Sequence, residues 1–339
     1  MVRGIPGPVD PCVSSSSPGH RVLAAAGKRS IPFENQSSRL DEVKLIFVMG
    51  CPRSGTTFLL RCLSKLPNAR AHAGILIPDR LCHVVGAAAD DGFVEDLLYA
   101  FRAVLWKAFV SRITSRKYHL LNSLRNPSGA LSDLRILSGA GELELERYLM
   151  VYKEPFMSFA AAQLAAHFSK ARFVHLIRDG RDCADSLGRT YGAVLSDETL
   201  RVDRTYWREV GSEIGTARVH DGWVVPWWVA VGQEEEFLSM TQGQRCLWMW
   251  KEAVVRGRRA REVAGARYLE MRYEHLCRDP AAAEDAILGF LDLEDGKRFS
   301  KEIRKARTDS IGVARERGRG AWEDLPRGVE EVLHELGYI

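Results

Sequence analysis

The sequence predicts an α/β fold, a central parallel sheet flanked by helices. Short apolar runs rich in β-branched and aromatic residues recur along the chain, and longer stretches with helical spacing lie between them. Each run ends in glycine or charged residues, as strands do when their carboxyl ends face a ligand.

The first run, Leu45 to Met49 (LIFVM), reads as a buried strand. Gly50-Cys-Pro-Arg-Ser-Gly-Thr-Thr57 follows it, and Phe58, Leu59, Leu60 and Leu63 continue as a helix. Asp91 to Thr114 places Phe93, Leu97, Phe101, Leu105 and Phe109 at i+4 steps, a drifting apolar stripe. Tyr148 to Tyr152 (YLMVY) is the second strand, closed by Lys153-Glu-Pro. Ser158 to Lys170 follows as a helix with a serine N-cap and a terminal lysine at its negative end. Arg172 to Ile177 (RFVHLI) is the third strand and runs into Arg178-Asp-Gly-Arg-Asp182. Arg267 to Tyr273 (RYLEMRY) is the fourth and runs into Glu274-His275. Pro280 at a first helical position opens a helix carrying Ile287, Phe290 and Leu291. The four strand-end segments are expected to converge on one crevice.

With 339 residues, 46% hydrophobic and 27% charged, the chain can bury a core without disulfide or metal support. A formal charge of +4 is too small for a protein that coats nucleic acid, although a local basic pocket is compatible with it. Seven cysteines (Cys12, Cys51, Cys62, Cys82, Cys183, Cys246, Cys277) form an odd set with no CxxC pair and no zinc spacing, so they read as reduced thiols. The most apolar stretch, Gly222 to Gly232, is broken by Pro226 and is far short of the roughly 20 residues of a membrane span, so no transmembrane segment is expected. Residues 1–40 are expected to be a disordered N-terminal segment and residues 41–339 the folded domain. That segment lacks an apolar signal core, which favours a cytoplasmic protein; its Arg- and Ser-rich, acid-poor character also fits an organelle transit segment.

Gly50 to Thr57 reads G-x-x-x-x-G-T-T, the length of a phosphate-binding loop between a strand and a helix, which makes the expected architecture a single P-loop-type domain. Its amides, its two threonine hydroxyls and the positive helix end suit an anion. Thr56 stands where a Walker loop has lysine, and the nearest cation is Arg53 inside the loop, which disfavours nucleoside triphosphate hydrolysis. A second basic element places Arg178 and Ser186 eight residues apart; the two can share one anion if the helix starts late, near Asp182.

Together CPRSGTTFL, RDGRDCADS and RYEHLCRDP resemble the 5′-phosphosulfate loop, the 3′-phosphate motif and the Tyr-Glu segment of the PAPS-dependent sulfotransferases, PAPS being 3′-phosphoadenosine 5′-phosphosulfate. The similarity spans about Val43 to Tyr338, and Lys153-Glu-Pro-Phe156 is similar to a Lys-Asp-Pro-Phe element of the protein-tyrosine sulfotransferases, so that branch and its bacterial relatives look nearest. The resemblance implies that Arg53, Ser54, Gly55, Thr56 and Thr57 hold the 5′-phosphosulfate, Arg178 and Ser186 the 3′-phosphate, and Tyr273 the adenine. It also implies a basic segment over the 3′-phosphate around Arg315-Glu-Arg317-Gly-Arg319. The spacing departs from the family's there, so Arg317 is one of several candidates. No metal is implied.

Sulfuryl transfer needs in-line placement and stabilisation of the departing oxygen, a task that falls to Arg53, the loop amides and Lys153. An acceptor hydroxyl also needs a base. The nearest relatives use a glutamate in the loop after the first helix. Arg70-Ala-His72-Ala stands there in this chain, and a one-residue gap puts His72 in that place, with Glu154 the second candidate. Phe93 to Phe109 and Trp223, Trp227 and Trp228 are candidate acceptor walls, whereas Trp248 and Trp250 are expected in helix core. The expected activity is transfer of a sulfuryl group from PAPS to a hydroxyl of a small-molecule acceptor. A P-loop kinase or nucleotide hydrolase and a non-catalytic adenosine-phosphate-binding module are the alternatives.

Overall fold

The computed structural model describes residues 39–73, 91–114, 145–201, 218–294, 296–318, 322 and 324–339, so the expectation for residues 1–40 lies almost wholly outside the described residues. Among them the strands are β1 (Lys44–Met49), β2 (Ala69–Ala73), β3 (Leu149–Lys153), β4 (Arg172–Ile177), β5 (Arg218–His220), β6 (Trp223–Val225) and β7 (Tyr268–Arg272). β5 and β6 form a separate antiparallel hairpin, and the other five make one parallel sheet in the order β2-β3-β1-β4-β7. The expected α/β architecture is present, with all four strands read from the apolar runs. β2 was not expected, because Ala69-Arg-Ala-His-Ala73 has no β-branched residue; it forms by pairing with β3, from Ala69 beside Leu149 to Ala73 beside Lys153.

The helices that position the site are α1 (Thr56–Leu63), α2 (Asp91–Thr114), α3 (Ala161–His167), α4 (Gly180–Tyr191), α5 (Gln242–Ala264), α6 (Tyr273–Arg278), α7 (Pro280–Leu291) and α8 (Val313–Arg317). Strand alternation splits the core in two. Ile46, Val48, Val151 and Leu176 face Leu59 and Leu63 of α1 and Ile287 of α7. Phe47, Tyr152 and Phe173 face the other way, toward α2, Phe168 and α5. Each such fully buried side chain contributes about 1.5–3 kcal/mol. On α2, Phe101, Leu105 and Phe109 are buried but Phe93 is 51% exposed. Each i+4 step overshoots a full turn by about 40°, so the stripe leaves the core toward the helix start.

Three expectations are corrected. The helix read as Ser158 to Lys170 is a 3-10 turn over Pro155–Ala160 followed by α3, since Pro155, with its fixed φ, starts helical backbone directly after Glu154. Ser158 is therefore buried inside the turn instead of capping a helix. α4 starts at Gly180, earlier than Asp182, because the Asp179 carboxylate accepts the Arg181 amide at 3.0 Å and caps the helix there. Trp227 and Trp228 are core rather than acceptor wall: the Phe159 ring stands edge-on 4.9 Å from Trp227, and Phe237 stands 5.4 Å from Trp228. Trp248 and Trp250 are buried, as expected. Among the described residues, no helix is long and apolar enough to cross a membrane, and Cys51, Cys62, Cys183, Cys246 and Cys277 are buried free thiols.

Candidate active site

β1 lies between β3 and β4, which follow one another in the chain, so a crevice opens at the carboxyl end of β1. The loop leaving β1 passes hard against β4. A Cβ on Gly50 would stand 2.3 Å from the Leu176 carbonyl oxygen, which only glycine avoids. Gly55 caps α1 with φ 94° and offers no side-chain bond, so the leading amides of α1 are left to an anion. Between them Arg53 is held at φ 74°, an unfavourable conformation for a residue with a side chain. Ser54 imposes it: its amide and its hydroxyl both donate to the Cys51 carbonyl, at 3.0 and 2.7 Å. The buried Ser54 thus has both donors engaged within the loop.

The second basic motif meets this loop directly. Arg53 Nε donates to Ser186 Oγ at 3.0 Å although Ser186 lies just under two turns into α4, so the late helix start set as the condition for Ser186 to reach the site is not needed. Arg178 Nη1 donates to the Arg53 carbonyl at 3.1 Å, and Nη2 donates to the Ser310 carbonyl. The buried Arg178 guanidinium lies 4.9 Å from the Tyr273 ring centroid, while its Nε has no hydrogen-bond partner among the described residues. Burial is the largest single influence on the Arg178 pKa and lowers it, but Cys183, Asp182, Tyr273 and Glu274 outweigh burial and raise it overall. Tyr273 covers Gly55, where a Cβ would stand 2.5 Å from the ring. Its hydroxyl lies 3.0 Å from Ser310 Oγ, and burial raises its pKa.

A cavity of about 390 Å³ gathers Arg53, Gly55, Thr56, Thr57, Arg178, Ser186 and Tyr273, within the size range of small-molecule sites. Arg189, Thr190 and Ser310 also line it and were not read from the sequence. Arg189 and Thr190 follow Ser186 by three and four positions, the spacing of one helix face, so carrying the Ser186 face one turn onward finds them. Ser310 carried no local signal. Asp182 fixes its segment, accepting the amides of Gly312 at 2.8 Å and Ala314 at 2.9 Å.

Lys153, Glu154, His72 and Arg317 do not line this cavity. Lys153 ends β3 beside Val48 of β1, and burial lowers its pKa against the pull of Glu154. Glu154 follows in extended backbone and is half-buried. His72 pairs with Tyr152, which pairs with Phe47, so its buried ring shares the aromatic face of the sheet, opposite to the face of Val48 and Lys153. Arg317 is exposed on α8, and Arg315 turns to the Tyr338 carbonyl and to Asp179.

The sulfotransferase family model matches residues 46–218, half of the chain, including the Arg53 loop, Lys153 and the Arg178 motif. The chain belongs to the sulfotransferase family. Tyr273 and Ser310 of this sulfotransferase lie beyond the matched span. Among solved structures, the sulfotransferase domain of the Synechococcus PCC 7002 olefin synthase is similar, with 15% identity and a TM-score of 0.47 over 87% of this chain and 94% of that one. Sulfotransferase STF9 from Mycobacterium avium is 16% identical, with a TM-score of 0.40 over 90% of this chain and 79% of its own. The Alicyclobacillus acidocaldarius sulfotransferase is 14% identical, with a TM-score of 0.34 over 82% and 98%. No curated protein matches the sequence.

Proposed function

We propose that this sulfotransferase moves a sulfuryl group from PAPS to a hydroxyl of a small-molecule acceptor. The observation that carries the proposal is the Arg53–Ser186 hydrogen bond, which joins the 5′ loop and the 3′ motif in one cavity that Arg178 also lines. A nucleotide with anionic groups at both its 5′ and 3′ positions complements that pair of cation sites. ATP has nothing to offer the second one, and Thr56 in the Walker lysine position weighs against its hydrolysis.

In this proposal the leading amides of α1, Thr57 and Arg53 hold the 5′-phosphosulfate, while Ser54 keeps the loop in shape. Arg178 and Ser186 hold the 3′-phosphate, and Tyr273 takes the adenine on its ring. Arg189 lines the cavity, paired with Asp185 at 2.8 Å, and Arg317 does not, so of these two exposed cations Arg189 is the better placed. Negative charge on the departing oxygen is met by Arg53 and the α1 amides, with Lys153, at the neighbouring strand end outside the cavity lining, the further candidate, and removing such a donor costs about 2.7–4 kcal/mol of barrier. Neighbouring strands lie about 4.8 Å apart, so Glu154 is one strand from the loop and His72 is two. That spacing, with the aromatic-facing ring of His72, favours Glu154 as the base and leaves His72 as its rival. The test is transfer of labelled sulfate from PAPS across a panel of phenols and alcohols. Label reaching an acceptor supports the proposal; a protein that binds PAP (adenosine 3′,5′-bisphosphate) yet transfers to none is the non-catalytic module instead.

A further inference from the structure

Glu274 and Tyr338 lie outside the cavity, yet they hold the backbone that aims Arg178. The peptide group between Arg178 and Asp179 is gripped at both ends. Its carbonyl accepts from Trp250 Nε1 at 2.9 Å, and its amide donates to Glu274 Oε1 at 2.9 Å. The other carboxylate oxygen of Glu274 accepts from the Tyr338 hydroxyl at 2.8 Å. The Tyr338 carbonyl accepts from Arg181 Nη2 at 2.9 Å and also from Arg315. Arg181 completes the ring with a two-point pair to Asp179, at 2.9 and 2.8 Å. Gly180 leaves the turn no slack, since a Cβ there would stand 2.4 Å from the Trp250 indole. Burial raises the Glu274 pKa, and the Asp179 amide and Tyr338 hydroxyl oppose it, so both bonds support the charged carboxylate.

We propose that Tyr338 and Glu274 are positioning residues for 3′-phosphate recognition, setting the direction of the chain at Arg178 and so the aim of its guanidinium. The inference rests on the donor proposed above. Neither residue needs to touch the nucleotide: the Tyr338 hydroxyl orients Glu274, Glu274 fixes the Asp179 amide, and the strand exit follows.

Calorimetric affinities for PAP and for AMP, which lacks the 3′-phosphate, test this in the wild type, Tyr338→Phe and Glu274→Gln. Tyr338→Phe keeps the ring against Arg272 and the backbone carbonyl, and removes one hydroxyl. It is expected to weaken PAP binding by up to about fivefold, the limit set by the worth of one hydrogen bond, with little change for AMP. Glu274→Gln can still accept from the Asp179 amide and can donate to the Tyr338 oxygen, so it retains the wild-type preference. A role in stability alone would lower the melting temperature and leave the PAP-to-AMP ratio of Tyr338→Phe unchanged; that result, or an equal loss for both nucleotides, overturns the inference. A wild-type protein with no preference for PAP overturns the donor proposal as well, and does so before any variant is measured.

Discussion

Gly55→Ala puts the geometry of the phosphate loop to a quantitative trial. Gly55 sits at φ 94°, and its missing Cβ is the space into which Tyr273 packs, 2.5 Å from where the new atom would be. Alanine there meets the left-handed backbone cost of about 1–2 kcal/mol and an overpacking cost of about 1–3 kcal/mol as the ring is pushed off the loop. Gly328, also left-handed at φ 75° and ψ −3° and facing only the flexible Lys251 side chain at 3.4 Å, separates the two effects: Gly328→Ala carries the backbone cost alone. Urea unfolding should therefore show a loss of about 2–5 kcal/mol for Gly55→Ala and about 1–2 kcal/mol for Gly328→Ala. PAP affinity, measured by calorimetry, should drop only in the first. In a Tyr273→Ala background the penalty of Gly55→Ala should shrink toward the backbone value, because the clashing ring is gone. Equal penalties for Gly55→Ala with and without the Tyr273 ring would refute the contact as the cause.

Further outcomes follow from buried groups and from the strand ends. Burial holds the pKa of His175 down to about 4, with Glu270 opposing and Arg258 and Arg261 reinforcing. Its unfolded value is near 6.5, so the stability tied to its neutral ring is complete above that pH and is lost as pH falls from about 6.5 toward 4. Between pH 7 and pH 5, urea unfolding of His175→Asn should lose about 2 kcal/mol less than wild type; equal losses contradict the assignment. Glu154→Gln should lower turnover by about 10²–10⁴-fold with PAP affinity unchanged, and His72→Gln by much less. The reverse ranking makes His72 the base.

What the sequence disclosed and what it hid divide along a physical line. Four strands were visible because runs such as LIFVM and RFVHLI are buried on both faces, and their chemistry was visible because it sits within a few residues of each strand end. β2 was hidden, since Ala, Arg and His gain their strand conformation only from pairing with β3. Arg189 was missed because the motif was read only as far as Ser186, although the next turn of the same helix face carries Arg189 and Thr190. Trp227 and Trp228 look the same in sequence whether they line a pocket or fill a core; Phe159 and Phe237 decide it. The Tyr338–Glu274 bond joins residues 64 positions apart, and no local pattern announces it.

The most direct measurement of the central claim is thermal stabilisation of the protein by PAP, beside AMP and ATP with Mg²⁺, in wild type and Arg178→Ala. PAP at 100 times its dissociation constant should add about 2.7 kcal/mol of stability, visible as a shift of several degrees. The account predicts that shift with PAP, little with AMP, and its loss in Arg178→Ala, which removes a guanidinium that lines the cavity. A larger shift with ATP and Mg²⁺, or a PAP response that survives Arg178→Ala, would contradict it.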